Sequence, residues 1–319
     1  MNVLIMGAGS IGSVLGGFLA KSGVSVALVG HPELMSAVRD NGLRISGIWG
    51  DHHIPSIPAF DKCDDIPAPD FDVVFITVKS YDTAKAARDV LPVVTDKTLV
   101  VSLQNGLGNW ETVAEVVGPG RLVGGMVIFG ARVLEPGHVT VTVYGGPVKF
   151  GPYTDAPLDR VEEIARTVDA SSIPAKVADD IRAVIWGKVL YNSALNPMSS
   201  LLGASYGELA GNDETRRIMA LIVEEIFEVA SAQGVTLEFA DVQAFLDHFY
   251  EKLIPPTALH YASMHEDLRT GRRTEIDALN GAIAAYGREA GISCPVNETL
   301  SLLVKARETA NAIAREMGV

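Results

Sequence analysis

The sequence predicts an α/β protein whose N-terminal part alternates strands with helices and whose C-terminal part is all-helical. Up to about residue 177, short apolar runs alternate with helical or turn segments, which is typical of a mostly parallel sheet. Beyond that point β signals are few, and apolar residues recur at helical spacing. Two domains are therefore predicted, residues 1–177 and residues 178–319.

The individual elements follow from these two patterns. The clearest predicted strands are Val3–Met6, Ser25–Val29, Val73–Val78 and Leu99–Leu103. A stretch from Leu122 to Phe150, including the run Val139–Tyr144, is rich in Val, Ile and Thr and is expected to supply later strands that close the same sheet. The predicted helices of the second domain are Asp180–Leu195, Thr215–Gln233, Ala240–Glu251, Thr257–Leu268 and Thr274–Ala290.

Composition limits the kinds of protein that this chain can be. Its 319 residues exceed the usual single-domain size, and a chain with 48% hydrophobic and 20% charged residues is too apolar to be disordered. The net charge of −13 disfavours a nucleic-acid partner, because phosphate backbones are bound by basic surfaces. The two cysteines, Cys63 and Cys294, lack the spacing of a disulfide framework or a zinc site. We therefore expect no metal and a reducing, cytoplasmic environment.

A membrane location is also not expected. The apolar N-terminus has no basic segment before it, and no later stretch approaches the roughly 20 uninterrupted apolar residues of a membrane span. The sequence does not fix the oligomeric state, and a homodimer formed through the helical domain is the working hypothesis.

A glycine-rich turn follows the first predicted strand directly. Gly7 allows a tight turn, Gly9 lets backbone amides approach a pyrophosphate, and Gly12 lets the next helix pack closely on the strand. The helix N-terminus then faces the phosphates. The alternative is a glycine-rich turn in another kind of α/β protein. The flanking strand and helix favour a Rossmann-like dinucleotide-binding domain, with the cofactor bound by Gly7, Ala8, Gly9, Ser10, Ile11 and Gly12.

The densest polar feature of the helical half is the set Lys188, Asn192 and Asn196. Spacings of four place all three on one helix face, and asparagine is a mediocre helix former, so a pocket wall is indicated. Hydride transfer to a ketone needs a proton donor for the carbonyl oxygen, and a partly desolvated lysine can serve. The alternative is that Lys188 is a solvated surface lysine and that Asn196 only ends the helix before Pro197.

Further candidates lie at strand ends and in a second polar cluster. Asn105 and Lys79 follow predicted strands at the sheet edge where ligands bind, although ordinary turn chemistry also explains them. Ser263 is a candidate for binding a carboxylate, and Glu275 for accepting a hydrogen bond from a substrate hydroxyl or anchoring the lysine. A structural role for Glu275, in the first turn of a helix capped by Thr274, can coexist with this.

Taken together, these motifs resemble those of the ketopantoate reductase family over nearly the whole chain. The matching segments are Gly7–Gly12, Thr77–Lys79, Gln104–Gly108, Lys188–Pro197 and Ser263–Gly281. The resemblance implies a Rossmann-type domain joined to a helical domain, and NADPH-dependent reduction of a 2-keto acid to the 2-hydroxy acid. The leading substrate it implies is 2-dehydropantoate, which is reduced to pantoate during pantothenate and coenzyme A synthesis.

The resemblance also implies roles for individual residues. Lys188 is similar to the family's catalytic lysine, the general acid toward the keto oxygen, and Glu275 to a glutamate near both cofactor and substrate. The implied substrate-side residues are Asn105, Asn192, Asn196 and the carboxylate-binding Ser263. The implied further cofactor contacts are Lys79, Asn105 and Ala131.

The sequence departs from the family pattern at a few positions. His31 stands where an arginine often holds a 2′-phosphate, and since no acid replaces it, NADP remains favoured over NAD. Tyr206 replaces a substrate-side asparagine, while His260 and Ala262 stand where an asparagine and a serine are expected. A related enzyme that reduces a different 2-keto acid would show this pattern. A β-hydroxyacid dehydrogenase and a non-catalytic dinucleotide sensor are also compatible with the cofactor domain.

Overall fold

The computed structural model describes residues 1–67 and 70–317, which form two compact units. The first unit comprises Met1–Gln104 and Asn109–Ile181. The second comprises Asn105–Gly108 and the chain from Arg182 onward. The four-residue segment Asn105–Gly108 therefore packs with the helical unit, although the residues on both sides of it in the chain belong to the first unit.

The first unit contains the strands and five helices. Its strands are β1 (Asn2–Met6), β2 (Ser25–Val29), β3 (Leu43–Gly47), β4 (His52–Ile54), β5 (Ala59–Phe60), β6 (Val73–Ile76), β7 (Leu99–Ser102), β8 (Leu122–Met126), β9 (Phe129–Glu135), β10 (His138–Tyr144), β11 (Val148–Pro152) and β12 (Ala175–Val177). Its helices are α1 (Ser10–Lys21), α2 (Pro32–Asn41), α3 (Thr83–Asp89), α4 (Asn109–Val117) and α5 (Leu158–Ala170).

Eight strands form the main sheet, in the order β12-β11-β8-β7-β6-β1-β2-β5. All neighbouring pairs are parallel except β8 and β11. The chain leaves β1 for β2 on one side and later returns to β6 on the other, so the strand order reverses at β1. The carboxyl end of β1 is thus the switch point at which doubly wound sheets bind ligands. Val3, Leu4 and Ile5 are fully buried, as expected for a central parallel strand.

The remaining strands form a separate sheet in the order β4-β3-β10-β9. The prediction that the segment from Leu122 to Phe150 closes the main sheet is confirmed for β8 and β11 and wrong for β9 and β10. The physical reason is one-sided burial. In β10, Val139 and Val141 are buried while Thr142 is exposed, which is the alternation of a sheet with one solvated face.

The second unit is helical, as predicted, with different boundaries. Its helices are α6 (Ile181–Leu202), α7 (Tyr206–Ala210), α8 (Asp213–Ala232), α9 (Val242–His248), α10 (Ser263–Arg269), α11 (Asn280–Ala290) and α12 (Pro295–Glu316). The predicted helix Thr257–Leu268 begins later than expected, because Pro255–Thr257 forms a 3-10 turn. The predicted helix Thr274–Ala290 is likewise split by a 3-10 turn at Ile276–Ala278. Within residues 1–67 and 70–317, no helix combines the length and apolarity needed to cross a bilayer.

Candidate active site

The glycine turn at the end of β1 is held tightly by its surroundings. The backbone N–H groups of Gly7 and Ala8 both donate to the carbonyl of Val29, at 2.9 and 2.8 Å. Gly7 has φ +103°, and a Cβ there would lie 2.6 Å from the backbone nitrogen of Val78. Only glycine tolerates both conditions. Thr77, whose role no sequence pattern predicted, locks the turn by donating from Oγ1 to the Gly7 carbonyl at 2.8 Å.

The helix that follows is suited to bind a phosphate. A Cβ on Gly9 would meet only the Gly7 carbonyl at 3.9 Å, so this face of the turn is open to a ligand. The first backbone N–H groups of α1, from Ser10, Ile11 and Gly12, lie in the turn whose donors have no partner within a helix. No acidic side chain occupies this first turn of α1. An anion therefore meets both free donors and the positive end of the helix dipole.

The other predicted cofactor residues of this unit lie on three different elements. His31 is the exposed N-cap residue of α2, directly after β2 and Gly30. Lys79 is partly buried and precedes a 3-10 turn at Ser80–Asp82, after β6. Ala131 lies in β9 of the smaller sheet, where its side chain packs against the apolar core of the unit.

A buried polar network, which the sequence patterns did not reveal, joins the ends of β6 and β7. Gln104 donates to the Val78 carbonyl at 3.2 Å and to Thr83 Oγ1, and it accepts from Ser102 Oγ at 3.1 Å. Thr83 also contacts Asn109 Oδ1 at 2.7 Å. The only sequence signal was that Ser102, Gln104 and Asn109, which the structure buries, are polar residues close together in the chain. The network fixes the carboxyl ends of both strands, because each of these buried groups is costly to leave unpaired.

In the second unit, Lys188 and Asn105 are brought together from positions 83 residues apart. Lys188 Nζ donates to Asn105 Oδ1 at 2.7 Å. Burial lowers the pKa of Lys188 from 10.5 to about 8, and the negative charge of Glu275 opposes this by raising it. The ammonium group therefore stays protonated at neutral pH, yet it gives up its proton far more readily than a surface lysine.

Glu275 is held by the turn that also supports the Asn105 segment. It is buried and immediately precedes the 3-10 turn Ile276–Ala278. Leu107 N donates to the Ala278 carbonyl at 2.7 Å, and Gly106 has φ +85° with no room for a Cβ against that same carbonyl. The two segments that carry Asn105 and Glu275 are thus packed backbone to backbone. Thr274 Oγ1 accepts from Ile276 N at 3.3 Å, but the N-cap residue of this turn is Glu275 and no side-chain cap is present, so the predicted capping role of Thr274 is wrong.

The remaining members of the polar face of α6 lie toward its C-terminal end. Asn192 is partly buried, and its side chain has no hydrogen-bond partner in the part of the chain that the structure describes. Asn196 is buried, and its Oδ1 accepts from the hydroxyl of Tyr206 at 3.3 Å. Ser263 is exposed at the first position of α10, and the structure shows no hydrogen bond from its side chain to any other described residue.

The prediction that α6 ends before Pro197 is wrong, because the helix continues through Pro197 to Leu202. Proline has no N–H, so the carbonyl of Ser193, four residues earlier, loses its helical partner. Asn280 replaces that partner by donating from Nδ2 to the Ser193 carbonyl at 3.1 Å. Asn280 is fully buried and also donates to Asn297 Oδ1 at 2.9 Å. A proline inside a helix with strong apolar periodicity is the signal that could have revealed this compensation.

These contacts assemble a proton donor, an acidic neighbour and an amide on one helical scaffold. Lys188, Asn105 and Glu275 form one group, while Asn196 and Tyr206 form a second group farther along α6. Among the residues described, no cluster of three or more histidine, cysteine or acidic side chains could hold a metal ion. The arrangement is able to protonate an oxygen that gains negative charge.

Comparison with protein families covers both units. A family model described as ketopantoate reductase PanE/ApbA matches residues 3–155, and one described as ketopantoate reductase PanE/ApbA C terminal matches residues 180–308. Among curated proteins, the 2-dehydropantoate 2-reductase of Aquifex aeolicus is 39% identical over 313 residues, covering 98% of both chains. That of Pyrococcus horikoshii is 33% identical, covering 97% of this chain and 98% of its relative.

Solved structures agree with the sequence matches. A D-mandelate dehydrogenase in a ternary complex with NADH and anilino(oxo)acetate superposes with a TM-score of 0.89 at 26% identity, covering 98% of this chain and 100% of the other. A ketopantoate reductase from Ralstonia eutropha superposes with a TM-score of 0.88 at 30% identity, with the same coverage.

Proposed function

Because this chain belongs to the ketopantoate reductase family, it is a dinucleotide-binding oxidoreductase, and we propose that it reduces 2-dehydropantoate to pantoate with NADPH. The reaction adds a hydride to the keto carbon and a proton to the keto oxygen. The observation that carries the proposal is the partly buried Lys188, whose Nζ donates to Asn105 and whose pKa is lowered to about 8.

Lys188 is the proton donor in this proposal. As the keto oxygen gains negative charge, the ammonium stabilises it and then transfers its proton. Burial favours the neutral amine that results, and Glu275 keeps enough of the lysine protonated before the reaction. Asn105 accepts one ammonium hydrogen and thereby orients the group. We assign substrate binding to Asn105, Asn192, Asn196 and Ser263.

The glycine turn fits a dinucleotide, because its Gly9 face is open and the first amides of α1 are available to a pyrophosphate. We assign the cofactor contacts that lie outside this turn to His31, Lys79, Asn105, Ala131 and Glu275. Bound to these residues, a reduced nicotinamide dinucleotide supplies the hydride.

NADPH is preferred over NADH in this proposal because of the residue types at the end of β2. The imidazole of His31 can donate a hydrogen bond to a 2′-phosphate, and the acid nearest to it, Glu33, lies beyond Pro32 in the first turn of α2 rather than at the end of β2, where an acid would bind a free ribose hydroxyl. The test compares kcat/KM with the two cofactors for the wild type, His31→Arg and His31→Ala. We expect the arginine variant to increase the preference for NADPH and the alanine variant to reduce it. Equal kcat/KM with NADH and NADPH, together with no effect of either substitution on that ratio, would overturn the assignment.

A related substrate is the second candidate. The similarity to a D-mandelate dehydrogenase, together with Tyr206 in place of the expected asparagine, favours an aromatic 2-keto acid. A panel of 2-dehydropantoate, 3-methyl-2-oxobutanoate and phenylglyoxylate, assayed with NADPH and with NADH, distinguishes the two. The proposal requires 2-dehydropantoate to have the highest kcat/KM.

Lys188→Ala, assayed with the best substrate of that panel, tests whether Lys188 is the proton donor. We expect turnover to fall by about 100-fold or more with little change in cofactor affinity, as for the loss of a general acid. Cofactor binding without turnover of any 2-keto acid would instead indicate a dinucleotide sensor.

We further propose that the protein acts in the cytoplasm as a homodimer. Cys63 and Cys294 are both free and buried, which suits a reducing compartment. Light scattering on the purified protein measures the assembly directly, and a monomer at assay concentration would remove the dimer from the proposal.

A further inference from the structure

Tyr206 is a buried tyrosine whose position is fixed from both sides. It begins α7, and its backbone N–H donates to the His260 carbonyl at 2.9 Å. Ser205 and Glu208 cap the same helix reciprocally. The ring of Tyr206 packs edge-on against Tyr191, with centroids 5.9 Å apart and planes at 87°. The phenol is therefore held in one place before any ligand binds.

The hydroxyl of Tyr206 meets the side-chain amide of Asn196. The distance from the hydroxyl to Asn196 Oδ1 is 3.3 Å. Burial raises the pKa of Tyr206, so the phenol stays protonated and donates to the amide oxygen, which can only accept. The contact holds the amide in the observed orientation, with its oxygen toward the hydroxyl and its nitrogen on the opposite side.

The opposite side of that amide is free to bind a ligand. Asn196 is 7% exposed, and its Nδ2 has no hydrogen-bond partner among the described residues. This nitrogen is not among the fully buried, unpaired side-chain atoms of the described residues, so it remains accessible to solvent and to a ligand. Asn196 lies two turns after Lys188 on one side of α6, about 12 Å along the helix axis. Its side chain leans toward the helix N-terminus and hence toward Lys188.

From this geometry we infer that Tyr206 is a positioning residue for substrate recognition, which holds the Asn196 amide so that its nitrogen donates to an oxygen of the 2-keto acid. The inference rests on the proposed function for its substrate class. It assigns a role to a position where the family pattern predicts an asparagine: the tyrosine acts through Asn196 rather than by its own direct contact. A neutral donor at this point suits a carboxylate or a hydroxyl oxygen, and it rejects a substrate that offers only an apolar group there.

The test begins with Tyr206→Phe, for which Tyr191→Phe is the matched control. Each variant removes one buried phenolic hydroxyl from the same aromatic cluster, but the Tyr191 hydroxyl contacts Thr257 instead, at 3.0 Å. For Tyr206→Phe we expect KM for the 2-keto acid to rise about fivefold, the effect of one lost hydrogen bond, with kcat and KM for NADPH within about twofold. Tyr191→Phe should leave all three unchanged. Equal effects of the two variants would show a general packing role and overturn the inference.

Two substitutions of Asn196 test the coupling and the orientation. Tyr206→Phe should have no further effect on KM in an Asn196→Ala background, because its role runs through that amide; additive effects would contradict this. Asn196→Asp keeps the acceptor for the tyrosine and replaces the donor with a charged oxygen. We expect it to raise KM more than Asn196→Ala does. A KM equal to that of the wild type would show that the oxygen, not the nitrogen, faces the substrate.

A measurement without turnover separates this inference from the proposed function. In nitrogen-15 NMR spectra, the side-chain amide of Asn196, assigned with Asn196→Ala, should shift in Tyr206→Phe and stay in place in Tyr191→Phe. If the wild type reduces no 2-keto acid, the proposed function fails and the substrate class inferred here fails with it. The NMR result still decides whether Tyr206 holds the amide, and an unshifted signal rules that out.

Discussion

The pH dependence of catalysis provides the sharpest test of the lysine mechanism. Only the protonated form of Lys188 can donate to the keto oxygen, so activity in the direction of reduction requires a pH below its pKa. Burial lowers that pKa to about 8, from 10.5. The value of kcat/KM for the 2-keto acid should therefore be level at acidic pH and fall as the pH rises through about 8.

The size of the effect follows from the two pKa values. With a pKa of about 8, protonation of Lys188 falls about tenfold between pH 7 and pH 9, and kcat/KM falls with it. A lysine with its ordinary pKa would lose almost nothing over this range.

Glu275→Gln sharpens the test, because the carboxylate raises the pKa of Lys188. Removing its charge should therefore move the alkaline limb to lower pH. Asp277→Asn is the matched control. Asp277 lies in the same turn, but its half-exposed carboxylate is paired with Lys305 and Arg273. This variant should leave the limb in place.

The assay follows the loss of reduced nicotinamide absorbance at saturating NADPH, with low and varied 2-keto acid, from pH 6 to pH 10. The opposite reaction provides an internal check, because oxidation needs the neutral amine and should gain from rising pH. A profile that stays level through pH 9 would refute Lys188 as the proton donor. A Glu275→Gln limb displaced to higher pH would refute the electrostatic argument.

Three further substitutions test the scaffold. Gly12→Ala places a methyl group against the Gly7 carbonyl and should lower dinucleotide affinity at least about tenfold in a fluorescence titration. In the control Gly120→Ala the methyl group meets nothing within 4 Å, and this variant should bind the dinucleotide as the wild type does. Gly106→Ala combines a positive φ with a clash against the Ala278 carbonyl and should reduce turnover more than dinucleotide affinity. Wild-type kinetics in this variant would show that the segment Asn105–Gly108 is not needed to position Asn105. Asn280→Ala leaves the Ser193 carbonyl without its hydrogen-bond donor and should lower the free energy of unfolding in urea by about 1–3 kcal/mol. An unchanged urea midpoint would contradict this role of Asn280.

Local sequence patterns were sufficient for most of the fold. The apolar runs at β1, β2, β6 and β7 predicted buried parallel strands, because strands covered on both faces carry apolar side chains at nearly every position. The pattern failed at β9 and β10. The alternation of apolar and polar residues in β10 was visible in the sequence, but the attachment of β10 to β3 depends on pairing with residues about 90 positions away.

The candidate site shows the same division more strongly. Helical periodicity alone predicted that Lys188, Asn192 and Asn196 share one side of a helix, since residues four apart are neighbours whatever else the chain does. The same logic predicted the glycine turn after β1, because the glycine requirements are local. It wrongly ended α6 at Pro197, since the donor that compensates the proline, Asn280, comes from a distant helix.

The sequence by itself therefore determined the two-part architecture, the glycine turn after β1 and the polar side of α6, each of which follows from residues within a few positions of one another. Only the tertiary structure decided which groups act together. The contact of Lys188 with Asn105, the lowered pKa of that lysine and the hold of Tyr206 on Asn196 depend on burial and hydrogen bonds between separate segments. All three depend on the exclusion of water, which requires the whole unit to be folded.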